Sequence, residues 1–332
     1  MIIDIHGHYT NAPVELQAYR GRQVVALGRP NRGTLSISDE TIRKSLDSGQ
    51  IEKLKERGTD HMLISPQASA MGHHFGSELV SRYWTETNND LIHRVCKLYP
   101  TFFSGVCQLP QSPGVNPKNC SEELARCVNE LGFVGCNLNP DPSGGAEWAA
   151  SLGEEWWYPL YEKLVALDVP AMIHVSSTVN PALHTTASYY INSDTTAVIQ
   201  LLESRVFEDF PTLKIVISHG GGSMPYQIAR YMGIWAAQKR EPSFKEAVKK
   251  LYYDTAIYSK EAMEMLIRVV GVDNVLFASE MLGAVNAIDP ETGKCFDDNR
   301  PYLEAIEWLS YEDRNKIFEQ NAKKVYSRLN AI

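Results

Sequence analysis

What this sequence lacks narrows its class before any motif is weighed. No stretch stays apolar for the roughly 20 residues that a membrane-spanning helix needs, so the chain reads as soluble and globular. Its 332 residues carry a formal net charge of -8 with no clustered Lys/Arg run, which argues against nucleic acid and anionic membranes as partners. The six cysteines show no Cys-x-x-Cys spacing and mostly sit inside apolar patterns, so buried free thiols are expected rather than disulfides or zinc ligands. The first residues lack the basic region and apolar stretch of a signal peptide, which gives the cytoplasm as the expected location. No Gly-x-Gly-x-x-Gly follows the first apolar run, which counts against an open dinucleotide-binding sheet.

What is present is alternation. Short β-branched and apolar runs at 1–5, 61–65, 102–109, 133–138, 170–175, 213–218, 251–256 and 275–279 read as strands. Between them, patterns at 39–57, 77–98, 120–131, 155–167, 194–207, 225–238 and 260–270 carry apolar residues at helical spacing. Parallel strands covered by helices follow, and eight such units close into a (β/α)8 TIM-type barrel, expected as a single domain over 1–332. Residues 10–38, punctuated by Pro13, Gly21, Gly28, Pro30 and Gly33, are expected as a loop insertion covering the barrel mouth. Ser310 and Asp313 form a capping-box pattern that opens a closing helix, expected to pack on the outside of the barrel.

In such barrels chemistry sits where strands end. The first strand ends in His6 and His8, which share a face because residues two apart in a strand point the same way. The fifth ends in His174, the sixth in His219 and the eighth in Glu280. A single histidine in such a place is usually a hydrogen-bonded structural residue, but their coincidence at equivalent strand ends predicts a catalytic metal site with an open position. His61, at the start of its strand, and His93, within a helix, are expected to be structural, while His73, His74 and His184 lie in loops on the catalytic side. Asn192 and Ser193 follow the fifth strand closely enough to line the pocket, and Tyr190 is a candidate proton donor. For an anionic substrate, Arg20, Arg22, Arg230 and Arg300 are the candidate carboxylate partners.

The His-x-His of the first strand, with His174, His219 and an acid after Ala-Ser on the eighth, resembles the amidohydrolase superfamily. The tail Ile317-Phe-Glu-Gln-Asn321-Ala322-Lys-Lys-Val-Tyr326 resembles the closing helix of its aminocarboxymuconate-semialdehyde decarboxylase-like branch. Longer segments are similar to the hydratases of that branch that act in aromatic-compound degradation: Ser65-Pro-Gln-Ala-Ser-Ala-Met-Gly-His-His74, Ile191-Asn-Ser-Asp-Thr-Thr196, His219-Gly-Gly-Gly-Ser-Met-Pro-Tyr226, Phe277-Ala-Ser-Glu-Met-Leu-Gly-Ala284 and residues 288–298. Two departures matter: Glu280 stands where most members have aspartate, and Asn137 and Asn139 replace the residue that bridges two metals elsewhere. The resemblance thus implies one divalent ion, Zn2+ first and Mn2+ or Fe2+ next, held by His6, His8, His174 and Glu280. It places His219 beside the attacking water, and the extra length of Glu280 over aspartate adds a second role, reaching a proton in transit. Addition of water to the double bond of a small polycarboxylate is the implied reaction, and a homodimer the implied assembly. His73, Asn192, Ser193 and Arg300 are the residues carried forward for substrate contact. The competing readings are nonoxidative decarboxylation of an aromatic or muconate-type acid, hydrolysis of an amide or lactone, and a noncatalytic scaffold.

Overall fold

In the computed structural model, which describes residues 1–26, 28–146 and 149–329, eight parallel strands follow one another in chain order. They are β1 (Ile3–His8), β2 (His61–Ser65), β3 (Phe103–Cys107), β4 (Gly135–Leu138), β5 (Ala171–Ile173), β6 (Ile215–Ile217), β7 (Tyr252–Asp254) and β8 (Val275–Leu276). The ring closes where the Ile5 amide donates to the Phe277 carbonyl and the Glu280 amide to the His6 carbonyl, both at 3.0 Å. This is the expected (β/α)8 barrel. From β5 to β8 the paired stretches are shorter than the apolar runs because each run continues past its ladder as a buried rim, and that rim carries polar strand ends.

Helices α1 (Val14–Val25), α2 (Asp39–Asp47), α3 (Gln50–Arg57), α4 (Glu78–Leu98), α5 (Cys120–Asn129), α6 (Tyr158–Leu167) and α7 (Tyr190–Glu203) accompany the first half of the barrel and its fifth unit. The remainder are α8 (Val206–Asp209), α9 (Ile228–Ala237), α10 (Phe244–Ala247), α11 (Lys260–Val270), α12 (Asn299–Glu304), α13 (Tyr311–Asn315) and α14 (Asn321–Val325). Three expectations need correction. The segment 10–38 is not loop throughout, since α1 occupies its middle; its buried stripe is Leu16, Tyr19, Arg20 and Gln23, at helical spacing but half polar, so hydrophobic periodicity does not reveal it. The helix expected over 39–57 is two, broken at Gly49, where a Cβ would stand 2.8 Å from the Ser45 carbonyl oxygen.

The third concerns the closing segment. It opens with the predicted capping box, the Ser310 side chain accepting from the Asp313 amide while Asp313 reaches back to the Ser310 amide. Ile317 and Phe318 then join the layer between strands and helices, Phe318 against Phe277. Beyond them, Ala322, Val325, Tyr326 and Leu329 cluster with Leu63, Met172, Val216 and Leu276. Met172 and Leu276 each precede a site residue by an even number of positions and so face the barrel interior. The segment therefore starts on the outside and ends as the barrel floor. All six cysteines are free, four of them buried, and no described helix is long and apolar enough to cross a membrane.

Candidate metal centre

The barrel brings together the strand-end residues picked from the sequence. His6, His174, His219 and Glu280 offer donor atoms all within 4.8 Å of one another. His8 completes the group, its Nε2 lying 3.1 Å from both His6 Nε2 and His174 Nε2. Glu280 Oε1 faces these three nitrogens at 4.0, 3.8 and 3.9 Å, whereas His219 Nε2 meets the other oxygen, Oε2, at 3.6 Å. Separations of this size are what donors about 2 Å from a common centre would show. His219 thus meets the carboxylate through the oxygen that the other three nitrogens do not face.

The outer hydrogen bonds decide what the three nitrogens are. His6 Nδ1 is 2.7 Å from Asp254 Oδ2, His174 Nδ1 is 2.8 Å from the Val175 carbonyl oxygen, and His8 Nδ1 is 2.8 Å from Ser65 Oγ. The carboxylate and the carbonyl can only accept, and Ser65 directs its own proton to backbone oxygens. Each Nδ1 therefore carries a proton, so in their neutral forms the three rings turn Nε2 lone pairs toward one carboxylate oxygen, although burial is outweighed by Asp254 and Glu280, which raise the pKa of His6, from which an ion would displace a proton. Such an arrangement repels itself unless a cation occupies the middle, so the donor set fits a divalent ion. Burial pushes His8 down to about 3 and His174 well below the usual imidazole range, which keeps both in the neutral form that a metal ligand needs.

His219 is different. Its Nδ1 donates to Asp194 Oδ2 at 2.8 Å, and Asp194, with no exposed surface, also accepts from Ser218 Oγ. Burial disfavours its imidazolium, but Asp194 and Glu280 outweigh burial and raise its pKa well above the ordinary value. Tyr190 lies over it, rings 5.5 Å apart and 28° from parallel, with its edge toward His174 at 5.3 Å. The fold thus sets an aspartate-held imidazole and a buried phenol beside the four-donor cluster.

Other candidates scatter. His73 is buried with its Nδ1 unpartnered, as is that of His74. His184 caps its own turn, accepting from the Ala187 amide. Asn192 is exposed on the first turn of α7, and Ser193, half-buried, hydrogen-bonds the Tyr189 phenol. Arg300 is not brought to the cluster: it pairs with Glu304 at 2.8 Å and donates to the Arg57 carbonyl. His61 and His93 hold backbone carbonyls, as expected of structural residues. Sequence reasoning passed over Asp254 and Asp194. Asp254 is an acid at the end of an otherwise apolar strand, and Asp194 lies at i, i+4 and i+7 with Val198 and Leu201 on the buried face of α7, so both signals were there to be read.

The amidohydrolase family profile matches residues 3–328. The chain belongs to the amidohydrolase family. It is 46% identical over 334 aligned residues to 2-keto-4-carboxy-3-hexenedioate hydratase from Sphingobium sp., covering 100% of this chain and 97% of that amidohydrolase. Among solved structures it is similar to 4-oxalomesaconate hydratase, LigJ, from Rhodopseudomonas palustris, with TM-score 0.92, 45% identity and coverage of 100% and 97% of the two chains. A dihydroxybenzoic acid decarboxylase from Polaromonas sp., solved with bound manganese, shares the fold at TM-score 0.73 and 22% identity, with 98% and 96% covered.

Proposed function

We propose that this amidohydrolase is a metal-dependent hydro-lyase that adds water to the double bond of 4-oxalomesaconate, giving 4-carboxy-4-hydroxy-2-oxoadipate, in aromatic-compound degradation. The observation that carries this reading is full-length similarity to two hydratases, joined to a site where three imidazole nitrogens and a carboxylate converge. His6, His8, His174 and Glu280 would hold one divalent ion, Zn2+ by donor type, with Mn2+ or Fe2+ suited to the same set. When bound, the ion supplies Lewis acidity that lets water lose a proton near neutral pH.

The chain's own groups then divide the work. His219, its Nδ1 fixed by Asp194, presents Nε2 to the attacking water; with the Glu280 charge taken up by an ion, the ring is released to its neutral form, from which it takes the water's proton while Asp194 holds the imidazolium formed. The water oxygen bonds to one alkene carbon and a proton returns to its neighbour, so the product is heavier by one water. Tyr190, packed on His219 and His174, supports a role as the donor of that returning proton, and Glu280 Oε2 lies 3.6 Å from His219 Nε2, in position to share it. His73, Asn192 and Ser193 remain our candidates for substrate contact. Among the arginines, Arg20 replaces Arg300 as the carboxylate partner we favour, because it is buried with Nη1 unpartnered. A small polycarboxylate is thus the substrate class. We place the enzyme in the cytoplasm as a homodimer; α9, whose apolar sequence buries only Trp235, supports a self-association surface.

The test is an assay of metal-analysed protein with 4-oxalomesaconate, following loss of the conjugated chromophore and the product mass. A gain of one water, abolished in Glu280→Gln and His174→Ala, is the expected result. Release of carbon dioxide would instead move the protein to the decarboxylases that share its fold.

A further inference from the structure

At the ends of β6, β7 and β8 three residues that carry side chains adopt left-handed backbone: His219 at φ 47°, Tyr258 at φ 59° and Glu280 at φ 51°. That region is costly for any residue with a Cβ and persists only where the surroundings over-determine it, most often at working sites. The three are also connected. The Tyr258 hydroxyl donates to Glu280 Oε2 at 2.7 Å, and His219 Nε2 stands 3.6 Å from that same oxygen. Glu280 Oε1 is left to face the nitrogens of His6, His8 and His174. Tyr258 belongs to no motif read from the sequence, sitting past the end of β7 just before α11.

We propose that Tyr258 is a positioning residue that holds the Glu280 carboxylate one-armed, with Oε1 turned to the ion and Oε2 kept out of its reach. This rests on the reading of the four-donor cluster as a metal centre. The terminal torsion of glutamate is broad and two-fold, so an unrestrained carboxylate can turn both oxygens to a cation. The second oxygen would then fill the position that a reacting water needs. Tyr258 prevents the turn by occupying Oε2 from the outside, while the left-handed turn at Glu280 aims the side chain back over the barrel axis. Gly283 leaves room for this fold-back, since a Cβ there would stand 2.7 Å from the Glu280 carbonyl oxygen and 3.3 Å from its Cγ.

The experiment compares wild type with Tyr258→Phe in the Co2+-loaded and Mn2+-loaded protein. The Co2+ visible absorption reports the donor set around the ion, chelator competition reports Mn2+ affinity, and steady-state kinetics with 4-oxalomesaconate report turnover. In the variant the Co2+ bands should shift as the second oxygen replaces water, Mn2+ should be held at least as tightly, and kcat should fall about 10- to 100-fold with KM nearly unchanged. Equal melting temperatures of the two ion-depleted proteins establish that losing the hydroxyl has not simply unfolded the loop. Unchanged Co2+ bands together with unchanged Mn2+ affinity overturn the proposal whatever the activity. A wild type that fails to turn over 4-oxalomesaconate while the bands still shift in the variant sustains the role of Tyr258 and sinks only the hydratase reading.

Discussion

Two aspartates behind the site have separable tasks. Asp254 binds His6 Nδ1 through Oδ2 while its Oδ1 accepts from the Gly220 and Ala256 amides. Asparagine keeps the amide contacts and loses the charged acceptor, so Asp254→Asn should weaken ion affinity about 10- to 100-fold. Asp194 touches His219, which meets Glu280 through Oε2 rather than the Oε1 that faces the other three histidines, so Asp194→Asn should leave ion content unchanged and lower kcat by about 100-fold or more. Dialysis against graded chelator followed by metal analysis, paired with steady-state kinetics, reads both. Loss of metal from the Asp194 variant would mean that His219 is itself a ligand.

Among the elements, the closing segment offers the simplest check. Ser310→Ala removes one half of a capping box at an exposed helix start and should cost about 1 kcal/mol in a urea titration, with ion content and turnover as in wild type. That box was legible because capping is local chemistry, written in four consecutive residues. The alternation of strand and helix was legible for the same reason, as were the histidines, since a polar ring ending an apolar run stands out. Helix α1 was hidden because its buried face contains Arg20 and Gln23, and buried polar residues erase the periodic signal. The descent of the tail into the barrel floor was hidden as well: Ala322, Val325 and Tyr326 have the same spacing whichever apolar surface they meet. Tyr258 escaped because its importance lies in a left-handed turn and one hydrogen bond, neither of which has a residue pattern.

For the molecule as a whole, three like lone pairs and a carboxylate held together in a buried cluster oppose folding until an ion joins them. An ion at a thousand times its Kd contributes about 4 kcal/mol by mass action. Removing it with a chelator should therefore lower the melting temperature by several degrees, and adding back Zn2+ or Mn2+ should restore it, as calorimetry would show. A melting temperature indifferent to chelation would contradict the four-donor site.

The closure of the barrel carries one more consequence. His6 and His8 sit on the first strand and Glu280 on the last, and Asp4 and Ser279, 275 positions apart in sequence, are hydrogen-bonded beside them. A ribosome adds about 5–20 residues per second, so the two histidines that emerge first must wait many seconds for the carboxylate that completes their set. Capture of an ion by all four donors would then follow the synthesis of β8 rather than seed the barrel. A nascent chain stalled before Glu280 would hold a divalent ion weakly, and tight binding would mark the moment at which the ring is sealed.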